Sequence, residues 1–268
     1  MAQFNNTMEI FKLLDKSNCR KCNKPTCFAF AAAVFQGQKR LNECPHLDTE
    51  IITKYDVKAN NQMSLEQERD EIIEQLKKKV ITTDLSLAAQ RLGAVFSEEK
   101  LTIKILGKNF SVDSKGDITT DIHVHAWVAI PVINYIIDGA GAPLSGKWVP
   151  FRELEGGKTW YRLFGQRCEK PLKKVADTYT DLFEDMIRLF NGRQVENHYS
   201  SDISLVLHPL PKVPILICYW KPEDGLESSL NIFFDSTAEE NLKIESLYTL
   251  GAGLVIMFEK IALRHGRI

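Results

Sequence analysis

Residues 18–45 read NCRKCNKPTCFAFAAAVFQGQKRLNECP and set Cys19, Cys22, Cys27 and Cys44 in a C-x2-C-x4-C-x16-C-P array. Three thiols on one short loop, with a fourth arriving from a distance, is ligand spacing for a metal centre. The loop can cover three corners of a cubane iron-sulfur cluster, with Cys44 at the last. Structural zinc also takes four thiolates, but more often from two separated C-x2-C knuckles, whereas this array is three plus one. A third reading, four reduced core cysteines without metal, gives no packing reason for three thiols within nine residues of a lysine-rich loop.

The flanks of the array support a compact module. Met8–Leu14 has the spacing of a short amphipathic helix, and Asn18 and Asn23 suit tight turns beside the thiols. Pro25 and Thr26 open a second helix, Gly37 is a stop for it, and Gln38–Glu43 brings the chain back to Cys44. Phe28–Phe35, FAFAAAVF, is apolar all round, which suits a dry wall beside a cluster. Arg20, Lys21 and Lys24 would soften the negative charge of four thiolates and a cluster, and His46 follows Cys44-Pro45 as an exposed loop residue within reach of the site.

At 268 residues the chain exceeds the commonest domain size, and the cysteine clustering favours a small module plus a larger domain. The expected division is 1–55 for the cluster module, 56–83 for a linker and charged helix, and 84–268 for the larger domain. In the middle segment Ser64 and Gln67 are placed as a capping box, and the charge run reads as a solvated helix face. Beyond it, Leu101–Leu106, Phe110–Val112, Ile118–Val124, Ile203–Leu207, Ile215–Trp220 and Leu230–Phe234 carry strand patterns. Val128–Ile137 reads as a helix with Pro131 in its first turn, and Pro171–Phe190 as one amphipathic helix ending before Asn191-Gly192. Asp235 or Ser236 can cap closing helices that run to about His265. The fold class is α+β: a small, mainly helical module followed by a mixed, largely antiparallel sheet domain with packed helices.

The balance of 34 basic and 35 acidic residues excludes a global attraction to nucleic acid or anionic lipid. The start, MAQFNNTMEIFKLLDK, has no basic segment followed by an apolar one, so no secretory signal is expected. Ala126–Ile137 is too short to span a bilayer, and Leu247–Leu263 is interrupted by Gly, Glu and Lys, so no membrane span is expected either. A reducing cytoplasmic location would keep the six cysteines as thiols, which favours metal over disulfides.

Asn18–Phe30, followed by Cys44-Pro45, resembles the 4Fe-4S module of the corrinoid iron-sulfur protein large subunit, of acetyl-CoA pathway components and of the B subunit of Rnf electron-transport complexes. Members of this group usually carry glycine at the positions of Arg20 and Asn23. The resemblance implies that Cys19, Cys22, Cys27 and Cys44 hold one 4Fe-4S cluster, with a redox partner protein and a corrinoid or methyl-transfer protein as candidate partners. GKWVPFRELEGGKTWY (146–161) and NIFFDSTAEENL (231–242) resemble an uncharacterised domain family that follows such modules in anaerobic bacteria and archaea, which implies no activity.

Other features invite chemistry. Gly141–Lys147 fits G-x-x-x-x-G-K, yet Trp148 stands where a phosphate loop needs Ser or Thr, so a turn before a strand is the better reading. His123 and His125 would share one strand face, as two metal ligands without a third or as exposed polar positions. Cys168 has Arg167 and Lys170 nearby to favour a thiolate, whereas Cys218 in ILICYW is a small core residue. Arg152, Glu153, Arg162 and Arg167 would line a polar pocket around Trp148, Trp160 and Tyr161, or form surface ion pairs. Besides an electron-transfer or accessory protein, these residues leave open a redox enzyme and a zinc-stabilised interaction protein.

Overall fold

The computed structural model describes residues 4, 6–35, 38–52, 55, 65–121, 126–179, 181–196 and 198–265, with only the backbone for 65–70 and 264–265. The chain divides into two compact units, Met1–Glu71 and Ile72–Ile268.

In the first unit, α1 (Thr7–Leu13) is capped by Asn6, whose Oδ1 accepts the Glu9 N–H at 3.1 Å. The helix α2 (Cys27–Phe35) opens as its sequence demands: Pro25 precedes it, and the Thr26 hydroxyl accepts the Ala29 N–H at 3.0 Å. A 3-10 turn, Leu41–Glu43, then leads to Cys44. Ile10, Leu14, Phe30, Ala31, Leu41 and Leu47 close one small core around Cys27 and Cys44. The expected helix stop at Gly37 and the capping Ser64 lie outside the described residues.

The second unit begins within a charged helix, α3 (Leu65–Ile81), and continues into α4 (Leu85–Leu92), which Asp84 caps by accepting the Leu87 N–H at 3.0 Å. A four-stranded antiparallel meander comes next: β1 (Val95–Ser97), β2 (Lys100–Ile105), β3 (Lys108–Asp113) and β4 (Ile118–Thr120). Leu101 pairs with Val112 and Ile103 with Phe110, so the alternating apolar residues meet on one buried face.

Beyond α5 (Ala126–Asp138) and β5 (Trp148–Pro150), α6 (Gly157–Phe164) continues through a π turn at Gly165–Glu169 into α7 (Lys170–Thr178). After α8 (Leu182–Phe190) come β6 (Arg193–Gln194), β7 (Ile203–Leu210), β8 (Val213–Trp220) and β9 (Ser229–Asp235). These strands form a second antiparallel sheet in the order β5-β9-β8-β7-β6. A short α9 (Ala238–Asn241) and the long α10 (Ile244–His265) complete the unit. The fold is α+β, with every described strand pair antiparallel.

By length and composition α10 could cross a bilayer. Its Leu247, Leu250, Leu254 and Phe258, spaced by three and four residues, are instead at most 2% exposed in the domain core. Each such side chain contributes ~1.5–3 kcal/mol by burial, so α10 is held as a core helix.

Two expected helices differ from the structure. Pro131 lies in the interior of α5 and not in its first turn. It therefore removes an interior hydrogen bond to the carbonyl of Trp127. Gly253 of α10 passes that carbonyl so closely that a Cβ would stand 3.0 Å from the oxygen. The expected helix over 171–190 is two helices, α7 and α8. Thr178-Tyr179-Thr180 is poor helix sequence, and the Thr178 hydroxyl bonds back to the Lys174 carbonyl at 2.8 Å. Tyr179 then adopts an extended backbone, and its hydroxyl donates to Asp185 Oδ2 at 2.7 Å across the break.

Candidate metal centre

The cysteine loop is shaped by backbone turns and one clasp. Asn18, Arg20 and Asn23 have φ of 52°, 61° and 58°, the left-handed conformations glycine takes without strain. Asparagine tolerates this region better than most residues, and the Asn23 N–H closes a turn on the Arg20 carbonyl at 3.0 Å. Asn18 ties the two ends of the loop together. Its Oδ1 accepts the Cys27 N–H at 2.7 Å, while its own N–H donates to Cys27 Sγ at 3.3 Å.

Cys27 and Cys44 are each 6% exposed, and Cys22 packs half-buried against the same core. Cys19 is half-buried on the same loop. Phe30, Ala31, Leu41 and Leu47 form the apolar wall, whereas Phe28 at the other side of α2 is 49% exposed and meets Phe11 edge to face at 5.4 Å. The wall is therefore one face of α2 and not its whole circumference. Burial pushes the Cys44 thiol up; the His46 amide opposes this, and the charges of Asp15, Cys22 and Cys27 reinforce it. Cys27 and Cys44 share one small apolar core, and Cys22 packs against it.

Sequence reasoning missed Asp15. Its carboxylate accepts the N–H and hydroxyl of Ser17, which with His46 hold it below the usual carboxylate range. Asp15 Oδ1 lies 3.8 Å from Cys27 Sγ, and Oδ2 lies 3.7 Å from His46 Nδ1. A link from the loop start to Cys27 and to His46 is visible only once the chain has folded back. Arg20 and Lys21 are exposed and Lys24 half-buried.

Among the described residues, no three His, Cys, Asp or Glu side chains stand close enough together to enclose a single metal ion. The donor set itself fits an iron-sulfur cluster: thiols only, one dry wall, an amide donor on Cys27 and basic residues in the loop.

The other candidates separate. His123 and His125 lie outside the described residues. Cys168 is fully buried, and burial pushes its thiol far up, with Glu169 adding to the effect. The expected thiolate is thus corrected: Arg167 and Lys170 are exposed and leave the sulfur in an apolar interior. Cys218 is a core residue as expected, 0% exposed beneath Ser204. Arg152, Glu153, Arg162 and Arg167 are exposed; Arg152 stacks over Tyr161 at 5.8 Å, while Trp160 packs on Tyr248.

The phosphate-loop look-alike is closed by a buried carboxylate. Asp235, 1% exposed, accepts the Ser145 N–H at 3.1 Å and the Gly146 N–H at 2.8 Å, the amides a phosphate would need. It also accepts the Thr237 N–H at 3.0 Å, so it caps the turn into α9.

Residues 14–46 match the family model described as "Putative Fe-S cluster". Over 42 residues, 16% of this chain and 9% of that protein, the sequence is 45% identical to the acetyl-CoA decarbonylase/synthase complex subunit gamma of Methanocaldococcus jannaschii. It is 42% identical over 40 residues to the subunit of the same name from Methanothermobacter thermautotrophicus, covering 15% of this chain and 9% of that one. The corrinoid/iron-sulfur protein large subunit of Moorella thermoacetica is 45% identical over 40 residues, with the same coverage. The chain thus spans only 9% of the length of these relatives. No solved structure matches it. Residues 84–257 match the model described as "Domain of unknown function (DUF3786)". An iron-sulfur module at 14–46 is therefore joined to a domain that fills more than half of the chain, and the chain belongs to the DUF3786 family.

Proposed function

We propose that Cys19, Cys22, Cys27 and Cys44 bind one 4Fe-4S cluster and that the protein is a cytoplasmic electron-transfer or accessory protein of anaerobic metabolism. The observation that carries this reading is the three-plus-one array, with Cys22, Cys27 and Cys44 gathered at one apolar wall. When bound, a 4Fe-4S cluster supplies one-electron transfer. The chain's own residues do the rest. Asn18 holds Cys27 in place and gives its sulfur an amide hydrogen bond. Phe30, Ala31, Leu41 and Leu47 keep water from one side of the site. Arg20 and Lys21 give the exposed side of the loop a positive charge suited to an acidic redox partner.

Similarity to subunits named for the acetyl-CoA decarbonylase/synthase complex and the corrinoid/iron-sulfur protein supports a partner from a corrinoid or methyl-transfer system. Cys168 lies in an apolar interior while Arg152, Arg162 and Arg167 are exposed, so the proposed function routes no chemistry through them.

The test is iron and sulfide analysis with electron paramagnetic resonance on protein purified without oxygen. Brown protein with equal iron and acid-labile sulfide and a reducible cubane signal is expected. Colourless, zinc-loaded protein that takes up no cluster on reconstitution would sink the reading. Cys44→Ser should change both cluster content and spectrum, and an unchanged spectrum would remove Cys44 from the ligand set.

A further inference from the structure

Lys104 of β2, Lys108 at the start of β3, Arg188 of α8 and His208 of β7 line one cleft of about 480 Å³ in the larger domain. The four groups come from four separate elements, so no single basic run explains their meeting. The hydrogen bond from the Leu106 N–H to the His208 carbonyl, at 3.0 Å, joins the β2–β3 turn to β7 of the second sheet beside the cleft. Leu106, Leu189 and Pro211 supply its apolar wall, and among the described residues no carboxylate lines it.

Part of this charge has a local explanation. Arg188 lies in the last turn of α8, where a cation complements the helix dipole, and its guanidinium pairs with the buried Asp185 at 2.7 Å. The lysines have no such account. Lys104 donates to the neutral Asn109 Oδ1 at 2.6 Å, and among the described residues neither Lys104 nor Lys108 has a carboxylate at ion-pair distance. Desolvation and the charge of Arg193 push His208 below its ordinary value, and the residue lines the cleft together with the two lysines. The cleft falls within the ~300–1,000 Å³ common for small-molecule sites and exceeds the needs of a single inorganic ion.

We propose that this cleft binds a small molecule carrying a multivalent anionic group, phosphate or polycarboxylate, held by Lys104, Lys108 and His208 with its apolar part against Leu106, Leu189 and Pro211. The site lies in the DUF3786 domain and is independent of the cluster reading.

Calorimetric titration of the full chain with pyrophosphate, and separately with citrate, tests it. Saturable binding of either probe that weakens as salt is raised is expected, and preference for one identifies the anion class. Lys104→Glu with Lys108→Glu should lower affinity by about tenfold or more, ~1.4 kcal/mol, while Lys115→Glu on the β3–β4 turn leaves it unchanged. Bound anion should also raise the titration midpoint of the His208 ring in NMR spectra, because a nearby negative charge favours imidazolium. No saturable binding of either probe, binding untouched by the double variant, or an unmoved His208 midpoint overturns the proposal.

Discussion

Asn18 carries more of the cysteine loop than its sequence position suggests, because both its backbone and its side chain bond Cys27. Asn18→Ala should cost the first unit about 1 kcal/mol and speed iron release under a chelator, followed by the loss of brown colour. Asp235 is the corresponding residue of the larger domain. Burial alone would raise its pKa, but the donors of Thr237 and Ser145 outweigh that and hold it low. A depressed folded pKa contributes stability that is present above the unfolded value near ~3.9 and is lost as the pH falls through the folded one. Asp235→Asn should therefore cost roughly 3 kcal/mol at neutral pH, and urea titrations should show the difference from wild type shrinking below about pH 4. Cys168 and Cys218, both 0% exposed, should resist iodoacetamide until denaturant is added, as peptide mass mapping would show.

Close backbone approaches decide how the helices pack. At Gly157, the start of α6, a Cβ would stand 2.0 Å from the Phe151 carbonyl oxygen. That is far inside contact distance and against rigid backbone. At Gly253 the nearest approach is 3.0 Å. Gly253→Ala should cost about 1–3 kcal/mol through overpacking, and Gly157→Ala more than that, an order readable from urea midpoints. No periodicity announces either contact, since each partner lies on another element or turn. The break between α7 and α8 is similar: the apolar stripe runs through it, and the competing bonds of Thr178 and Tyr179 end the helix. Strands are more legible in the sequence, because Leu101, Ile103 and Ile105 alternate on one face and Cys218 sits in an apolar run buried on both faces of β8.

The two units have separate apolar cores, one around Ile10, Phe30 and Leu41 and one extending from Leu76 to Phe258. Separate cores predict that the stability of the larger unit is independent of a cluster held by the smaller one. Calorimetry before and after anaerobic chelation should show a transition of the cluster unit disappearing while that of residues 72–268 keeps its midpoint. A single transition shifted as a whole by iron removal would contradict independent cores.

Ligand spacing and hydrophobic period are local quantities, and the sequence by itself determined what depends on them. These were the cysteine array as a metal motif, the α+β class, the strands β2, β3, β4, β7, β8 and β9 and the core place of Cys218, whereas the short edge strands β1 and β6 carry no pattern of their own. Tertiary structure alone decided what depends on distant groups meeting. It buried Cys168 away from its basic neighbours, spent the Ser145 and Gly146 amides on Asp235, and brought Asp15 to Cys27 and Lys104 to His208. Desolvation, hydrogen-bond competition and charge coupling act through space, so they became readable only when the chain had closed on itself.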